Sequence, residues 1–318
     1  MMNILIKKAN LVKFFNNLDD YQIIGPVKRG TVKRFEPIEK FDDIYFEGQT
    51  TYSFKKFFLP DNETLLRFKD KKPIDGKPED NKRIIILRPC DANALLMLDK
   101  IFLDENPDRN YMEKRKNTLV FVFKCKEPFE NCFCDSLGTQ DTTNFDLLFT
   151  DLDDKYIVTP GSVKGRELTS SKMFMPIIRD GGASVECQKT VEDLRRLDQY
   201  KNDPLWKENA DKCINCNACI SVCPTCACFD VNDEVDVNQK DGRRVRNWDY
   251  CHMQGFTRVA GGHVFRDDKV KRFQHRIYHK LKYFKERHGK HLCVGCGRCM
   301  NVCPADIDMV DIINNLGK

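Results

Sequence analysis

Two twelve-residue runs, CINCNACISVCP from Cys213 to Pro224 and CVGCGRCMNVCP from Cys293 to Pro304, share the spacing C-x2-C-x2-C-x3-C-P. Three cysteines at two-residue gaps can curl round one polynuclear centre, while a fourth cysteine followed by proline is carried away from that turn towards a neighbouring centre. Few folds can satisfy that requirement twice in one chain.

The spacing is the one that suits 4Fe-4S clusters with exchanged fourth ligands. Cys213, Cys216, Cys219 and Cys303 are expected on one cluster, and Cys293, Cys296, Cys299 and Cys223 on the other. Zinc sites more often pair two C-x-x-C knuckles and do not use a three-cysteine run closed by Cys-Pro. Sixteen cysteines in 318 residues would suggest disulfides in a short secreted chain, but here they fall in metal-type spacings, so a reducing cytoplasm is the expected compartment. The first twenty residues break their apolar stretches with Lys7, Lys8 and Lys13 and carry no small-residue cleavage site, so no signal peptide is read there. No apolar run reaches membrane-spanning length, so no direct membrane insertion is expected. The balance of 53 Lys and Arg against 48 Asp and Glu is mildly basic and argues against a dedicated nucleic-acid binder.

The expected fold class is α+β, with an α/β domain over residues 1–205 and an all-helical, ferredoxin-like two-cluster domain over 206–318. In the first domain, KRIIILRPCDANALLMLDKIFL reads as a buried strand, Cys90, and a helix that Asp91 can cap, with Leu95, Leu98, Ile101 and Phe102 on its apolar stripe. TLVFVFKC reads as a second strand ending at Cys125, parallel to the first through a right-handed crossover. Ligands sit at the carboxyl ends of such strands. Cys90, Cys125, and Cys132 and Cys134 of NCFC are therefore expected to converge there on a third 4Fe-4S cluster. The competing reading is a set of buried free thiols. FDLLFTD and KYIVTP read as a hairpin turning at Asp153 and Asp154; Cys187 stands alone in a loop and is read as a non-ligand. Gly161, Gly165, Gly181 and Gly182 form no phosphate-cradling fingerprint.

In the second half, Asp203 and Pro204 open a short helix that delivers the chain to Cys213. Later, Val270, Phe273, Ile277, Leu281 and Phe284 mark one face of a helix whose other face carries Lys269, Lys271, Arg272, Arg276, Lys280, Lys282, Lys285 and Arg287. That basic face is read first as solvated, second as a docking surface for an acidic partner such as ferredoxin. Cys226, Cys228 and Cys251 are either thiols that tune a cluster or alternates for Cys223 or Cys303. His252, His263, His275, His279, His288 and His291 are read as surface or hydrogen-bonding residues, because cysteines already suffice as ligands. Lys212 and Arg298 are expected to tune cluster potentials.

The order RPCDANALLMLDKIFL, FENCFCDSLGT, CPTCACFDV, WDYCHMQGFTRVAGGHVFR and LCVGCGRCMNVCPADI resembles the two-cluster iron-sulfur subunits of anaerobic sulfite reductase and of sulfhydrogenase, a nickel-iron hydrogenase whose beta subunit is the one concerned. The resemblance implies an electron carrier set between a flavin- and NAD(P)H-binding subunit on one side and, on the other, either a nickel-iron hydrogenase or a sirohaem sulfite reductase. FENCFC and SLGT lean towards the second branch, CPADI and DKIFLDENPD towards the first. Two other classes compete. A stand-alone redox enzyme with Cys90 as nucleophile lacks a base, since no histidine precedes residue 252. An iron-sulfur redox sensor meeting DNA lacks a reading helix.

Overall fold

The computed structural model describes residues 3–74, 81–178, 182, 185–237 and 239–318; Gly181 lies outside them. Ten strands alternate with the chain's first helices. They are β1 (Asn3–Lys7), β2 (Gln22–Arg29), β3 (Val32–Pro37), β4 (Glu63–Lys69), β5 (Lys72–Ile74), β6 (Arg83–Leu87), β7 (Thr118–Phe123), β8 (Leu147–Asp151), β9 (Lys155–Pro160) and β10 (Met175–Ile177). Two more, β11 (Phe229–Val235) and β12 (Gly242–Trp248), lie between the cysteine runs.

An eight-stranded sheet runs β10-β1-β9-β8-β7-β6-β2-β3. Its centre is parallel, β2 beside β6, β6 beside β7 and β7 beside β8, and its edges are antiparallel. The central strands are apolar on both faces because helices and loops cover both, as parallel sheets require. The strand-helix-strand unit is present: β6, the helix Pro89–Phe102, and β7 paired from Arg83↔Thr118 to Leu87↔Val122. Leu95, Leu98 and Phe102 of that helix are buried, but Ile101 faces solvent, its place in the core taken by Ala94 and Met97. Asp91 does not cap the helix. It sits within the first turn and pairs with Arg298 across the molecule. The β8-β9 hairpin turns through Asp153 in a left-handed conformation.

The all-helical expectation for residues 206–318 is corrected. β11 and β12 form a hairpin, and β12 pairs with β4, giving a second sheet ordered β11-β12-β4-β5. This sheet spans the boundary expected near residue 205. Its anchor is Arg246, 3% exposed, which bonds Glu63 and Asp108 and lies over the rings of Phe102 and Phe229. An isolated hairpin is marginal in water, so docking onto β4 and this ion-pair cluster is what makes it persist.

The helix expected from the apolar stripe runs from Lys269 to His288, with one turn, His279–Tyr283, widened to a π-helix. The widened turn leaves the Lys280 carbonyl to accept from the Leu292 and Cys293 amides, which starts the second cysteine run against the helix. Phe273, Ile277, Leu281 and Phe284 are buried as their spacing requires. The charged stretch after Thr190 forms one helical turn only, Arg196–Gln199.

A candidate iron-sulfur centre

The two runs adopt matching loops followed by one helical turn each, Ala218–Ser221 and Arg298–Asn301, and these turns pack together. In both loops the residues before and after the second cysteine hold positive φ. They are Asn215 and Asn217 in the first run, Gly295 and Gly297 in the second. A left-handed residue next to each cysteine curls the chain so that the three thiols face inward.

Cys213, Cys216, Cys219 and Cys303 line one cavity, together with Cys299. This is the set expected for the first cluster. The rest of the lining is apolar except for Asn217, His252 and Arg276. His252 Nε2 and Arg276 Nε are buried and have no protein partner. Burial, then Arg276 and Arg272, push the His252 imidazole down to about 3, so the ring is neutral and can donate from one nitrogen. Unpaired buried donors cost free energy unless an acceptor fills the space between them and the thiols. A thiolate-ligated cluster is such an acceptor, and the residues present fit it. Of the six histidines, His252 therefore departs from the surface reading; His263 is exposed.

The sequence reading also missed the direction of part of the basic face. Arg272, Arg276 and Lys280 are buried. Arg272 bonds three carbonyls, those of His252, Arg266 and Asp267. Arg276 donates to the Cys219 carbonyl at 3.3 Å, and Lys280 to Thr225 Oγ1 at 2.8 Å. Burial pulls the Lys280 ammonium down, and the Cys223, Cys226 and Cys293 sulfurs beside it outweigh that and hold it above its ordinary value. Of the tuning cations expected, Arg298 is bound by the carboxylate of Asp91, and Lys212 sits on the surface with Glu208.

For the second cluster, Cys293, Cys296 and Cys299 share a loop, and Cys223 lies close enough to Cys296 for their charges to interact. This run is clamped to the first domain. Phe133 N donates to Gly295 O at 2.8 Å, Thr139 Oγ1 to Val294 O at 2.8 Å, and Arg298 bonds Asp91 and Thr50. A Cβ on Gly295 would stand 2.6 Å from Phe133 O, and one on Gly297 2.3 Å from Asn131 O. Glycine is required because the NCFC loop occupies that space.

Around the expected third set, the structure draws three sulfurs together. The sulfurs of Cys132, Cys134 and Cys187 lie within 4.8 Å of one another, with Cys187 at 3.3 Å from Cys132 and 3.5 Å from Cys134. Cys187, read from sequence as a non-ligand, is thus part of the group. Its backbone amide is fixed by Asp135 at 2.7 Å. The Cys132 thiol is held down, to about 6, first by its hydrogen bond with Cys134. Cys90 packs in the same core as Cys134. Cys125 is not in the tight trio; it lines an open cavity with Arg88, Lys124, Lys126 and Tyr156 beyond the carboxyl end of β7, close enough to Cys132 and Cys90 for their charges to interact. The chain turns away after Phe123 because Arg88 holds the Phe123 and Lys124 carbonyls. Cys226, Cys228 and Cys251 lie together on the opposite side, beside Lys280.

No helix among the described residues is long and apolar enough to cross a membrane. Residues 212–307 match the 4Fe-4S dicluster domain family. The chain is 33% identical over 327 residues to the sulfhydrogenase 2 subunit beta of Pyrococcus furiosus, covering 96% of this chain and 95% of that protein. No solved structure matches. With that identity along almost the whole of both chains, and a dicluster match that spans both cysteine runs, this chain belongs to the sulfhydrogenase beta-type family of iron-sulfur subunits.

Proposed function

We propose that this chain carries electrons, one at a time, between an NAD(P)H-linked flavoprotein and a nickel-iron hydrogenase, each a separate subunit. Two 4Fe-4S clusters sit on the cysteine runs and a third on Cys90, Cys132, Cys134 and Cys187. When bound, each cluster supplies reversible one-electron chemistry at a potential set by sulfur hydrogen bonds, burial and local charge. The chain's own residues hold and bias that chemistry. Arg276 and Lys280 place buried positive charge beside the thiols, which favours the added electron. His252 offers a neutral donor to the first site, and the Asp91–Arg298 pair fixes the second site to the first domain.

The observation that carries this reading is contiguity. The first run packs on the second, and the second on the NCFC loop. The likeness to a sulfhydrogenase subunit favours the hydrogenase branch over a sirohaem sulfite reductase. A reducing cytoplasm suits sixteen thiols.

The test is viologen reduction by NADH or NADPH, measured anaerobically with the chain alone and with a co-purified flavoprotein partner. Reduction only with the partner supports the relay. Turnover by the lone chain overturns it. Within the third site, Cys187→Ser is expected to lose about four irons and Cys125→Ser none.

A further inference from the structure

Between the two runs the segment CPTCAC and the loop after β12 bring three further thiols to one cavity of about 460 Å³, lined by Cys226, Cys228 and Cys251 together with Arg276, His279 and Lys280. Cys228 and Cys251 are hydrogen-bonding partners, and Cys226 bonds Cys223. None of the three is needed by the ligand sets above.

Three cations are buried around this group. Lys55 is 3% exposed, donates to the Cys226 carbonyl at 3.0 Å and lies 4.0 Å over the Trp248 ring. Lys280 is 2% and Arg276 7% exposed. None has a carboxylate partner among the described residues. Buried charges are normally paired, and leaving three like charges together without anions is unfavourable. Arg276 and Lys280 also face the cysteine runs, through Cys219, Cys299 and Cys293, so those clusters account for part of their compensation. Lys55 also faces Cys223, a ligand of the second cluster, but the other two sulfurs beside it, Cys226 and Cys228, belong to neither ligand set. Asp104 and Glu105 line the same cavity but bond none of the three cations, and the Lys55 ammonium is held at the Cys226 carbonyl, so the remaining compensation falls to Cys226 and Cys228.

We propose that Cys226, Cys228 and Cys251 hold an additional iron-sulfur cluster, with Lys55, Arg276 and Lys280 as its counter-charge and its remaining coordination position turned to the open cavity. The three thiols lose their protons to solvent as their sulfurs bind iron. A cavity of this size leaves room for a water or small anion at the iron that lacks a cysteine. The inference rests on the reading of the chain as an iron-sulfur protein, and not on which catalytic partner it serves.

The experiment is iron and acid-labile sulfide analysis, with zinc measured in parallel, of the anaerobically purified full chain and of Cys228→Ser and Cys251→Ser variants. Loss of about four irons from each variant, with the signals of the two runs unchanged, is the expected result. Unchanged iron, or one zinc per chain in place of the lost iron, overturns the proposal. Absence of iron from the runs themselves would instead overturn the relay reading, so the two failures are distinguishable. Should the variants not fold, alkylation of the unmodified holoprotein decides. Cys226 and Cys228, which line an open cavity, are expected to resist iodoacetamide until chelator and oxidant strip the iron; prompt labelling before stripping overturns the site.

Discussion

The two cysteine runs share one spacing and one backbone curl but live in different surroundings. In the first, the left-handed positions are Asn215 and Asn217, Cys216 is exposed and Ile214 is 68% exposed. In the second, the same positions are Gly295 and Gly297, and Cys296 is buried. Asparagine tolerates a left-handed backbone where there is open space; glycine is obligatory where another segment presses in. The difference separates a peripheral cysteine loop from an internal one.

The contrast is broken most severely at the buried pair of Asp91 and Arg298. Asp91→Asn leaves the guanidinium uncompensated and is expected to cost about 3–5 kcal/mol, read by denaturant unfolding, while the corresponding change of the surface pair, Glu208→Gln at Lys212, costs within about 0.5 kcal/mol. Next comes the clamp itself. Gly297→Ala meets the Asn131 backbone and the left-handed penalty together, and is expected to lose about 2 kcal/mol or more, whereas Asn217→Gly stays within about 1 kcal/mol. A smaller effect is kinetic: chelator with mild oxidant should strip the iron of the first run roughly tenfold faster than that of the second, about 1.4 kcal/mol in barrier, followed by spectroscopy of each site.

The smallest effect is in pH. Burial first, then Arg266 for His275 and Lys280 and His275 for His279, hold both imidazoles down, each to about 4. A depressed folded value means the unfolded chain binds the extra proton, so stability is fully present above the ordinary histidine range near 6.5 and falls as pH drops from there towards 4. Both rings sit on the helix that carries Arg276 beneath the first run, so mild acid should loosen that side first. Thermal melts at pH 7 and pH 6 are expected to differ by roughly 0.5 kcal/mol per histidine after solvent screening, and His275→Gln should remove its share.

Much of this was legible in the sequence because the signals were local. The cysteine spacing, the β6-helix-β7 unit and the β8-β9 hairpin each lie within one short stretch and follow from periodicity and turn chemistry. The second sheet was not, because β12 pairs with β4 from the other half of the chain and β11 is exposed along its whole length, so that Phe229, Val231 and Val235 mark no buried face. Cys187 carries no neighbouring cysteine; only the fold brings it to the NCFC loop. The basic face misled for a more instructive reason. Arg272, Arg276 and Lys280 repeat every four residues beside the stripe of Phe273, Ile277 and Leu281, so they form an inward row of cations, and charge alone reads as solvent-facing. A row of cations adjoining the apolar stripe, in a chain rich in thiols, was the available signal. Tertiary bonds to carbonyl and hydroxyl oxygens, with cysteine sulfurs beside Arg276 and Lys280, and not helix amphipathicity, decided where those side chains point.

The central claim is tested most directly by stepwise reductive titration of the anaerobic chain, followed by electron paramagnetic resonance with iron counted in the same sample. The account requires the two runs to take up electrons as reducible 4Fe-4S centres that broaden one another's signals, since their helical turns pack together. A chain that holds zinc, or that accepts no electron at either run, would contradict it.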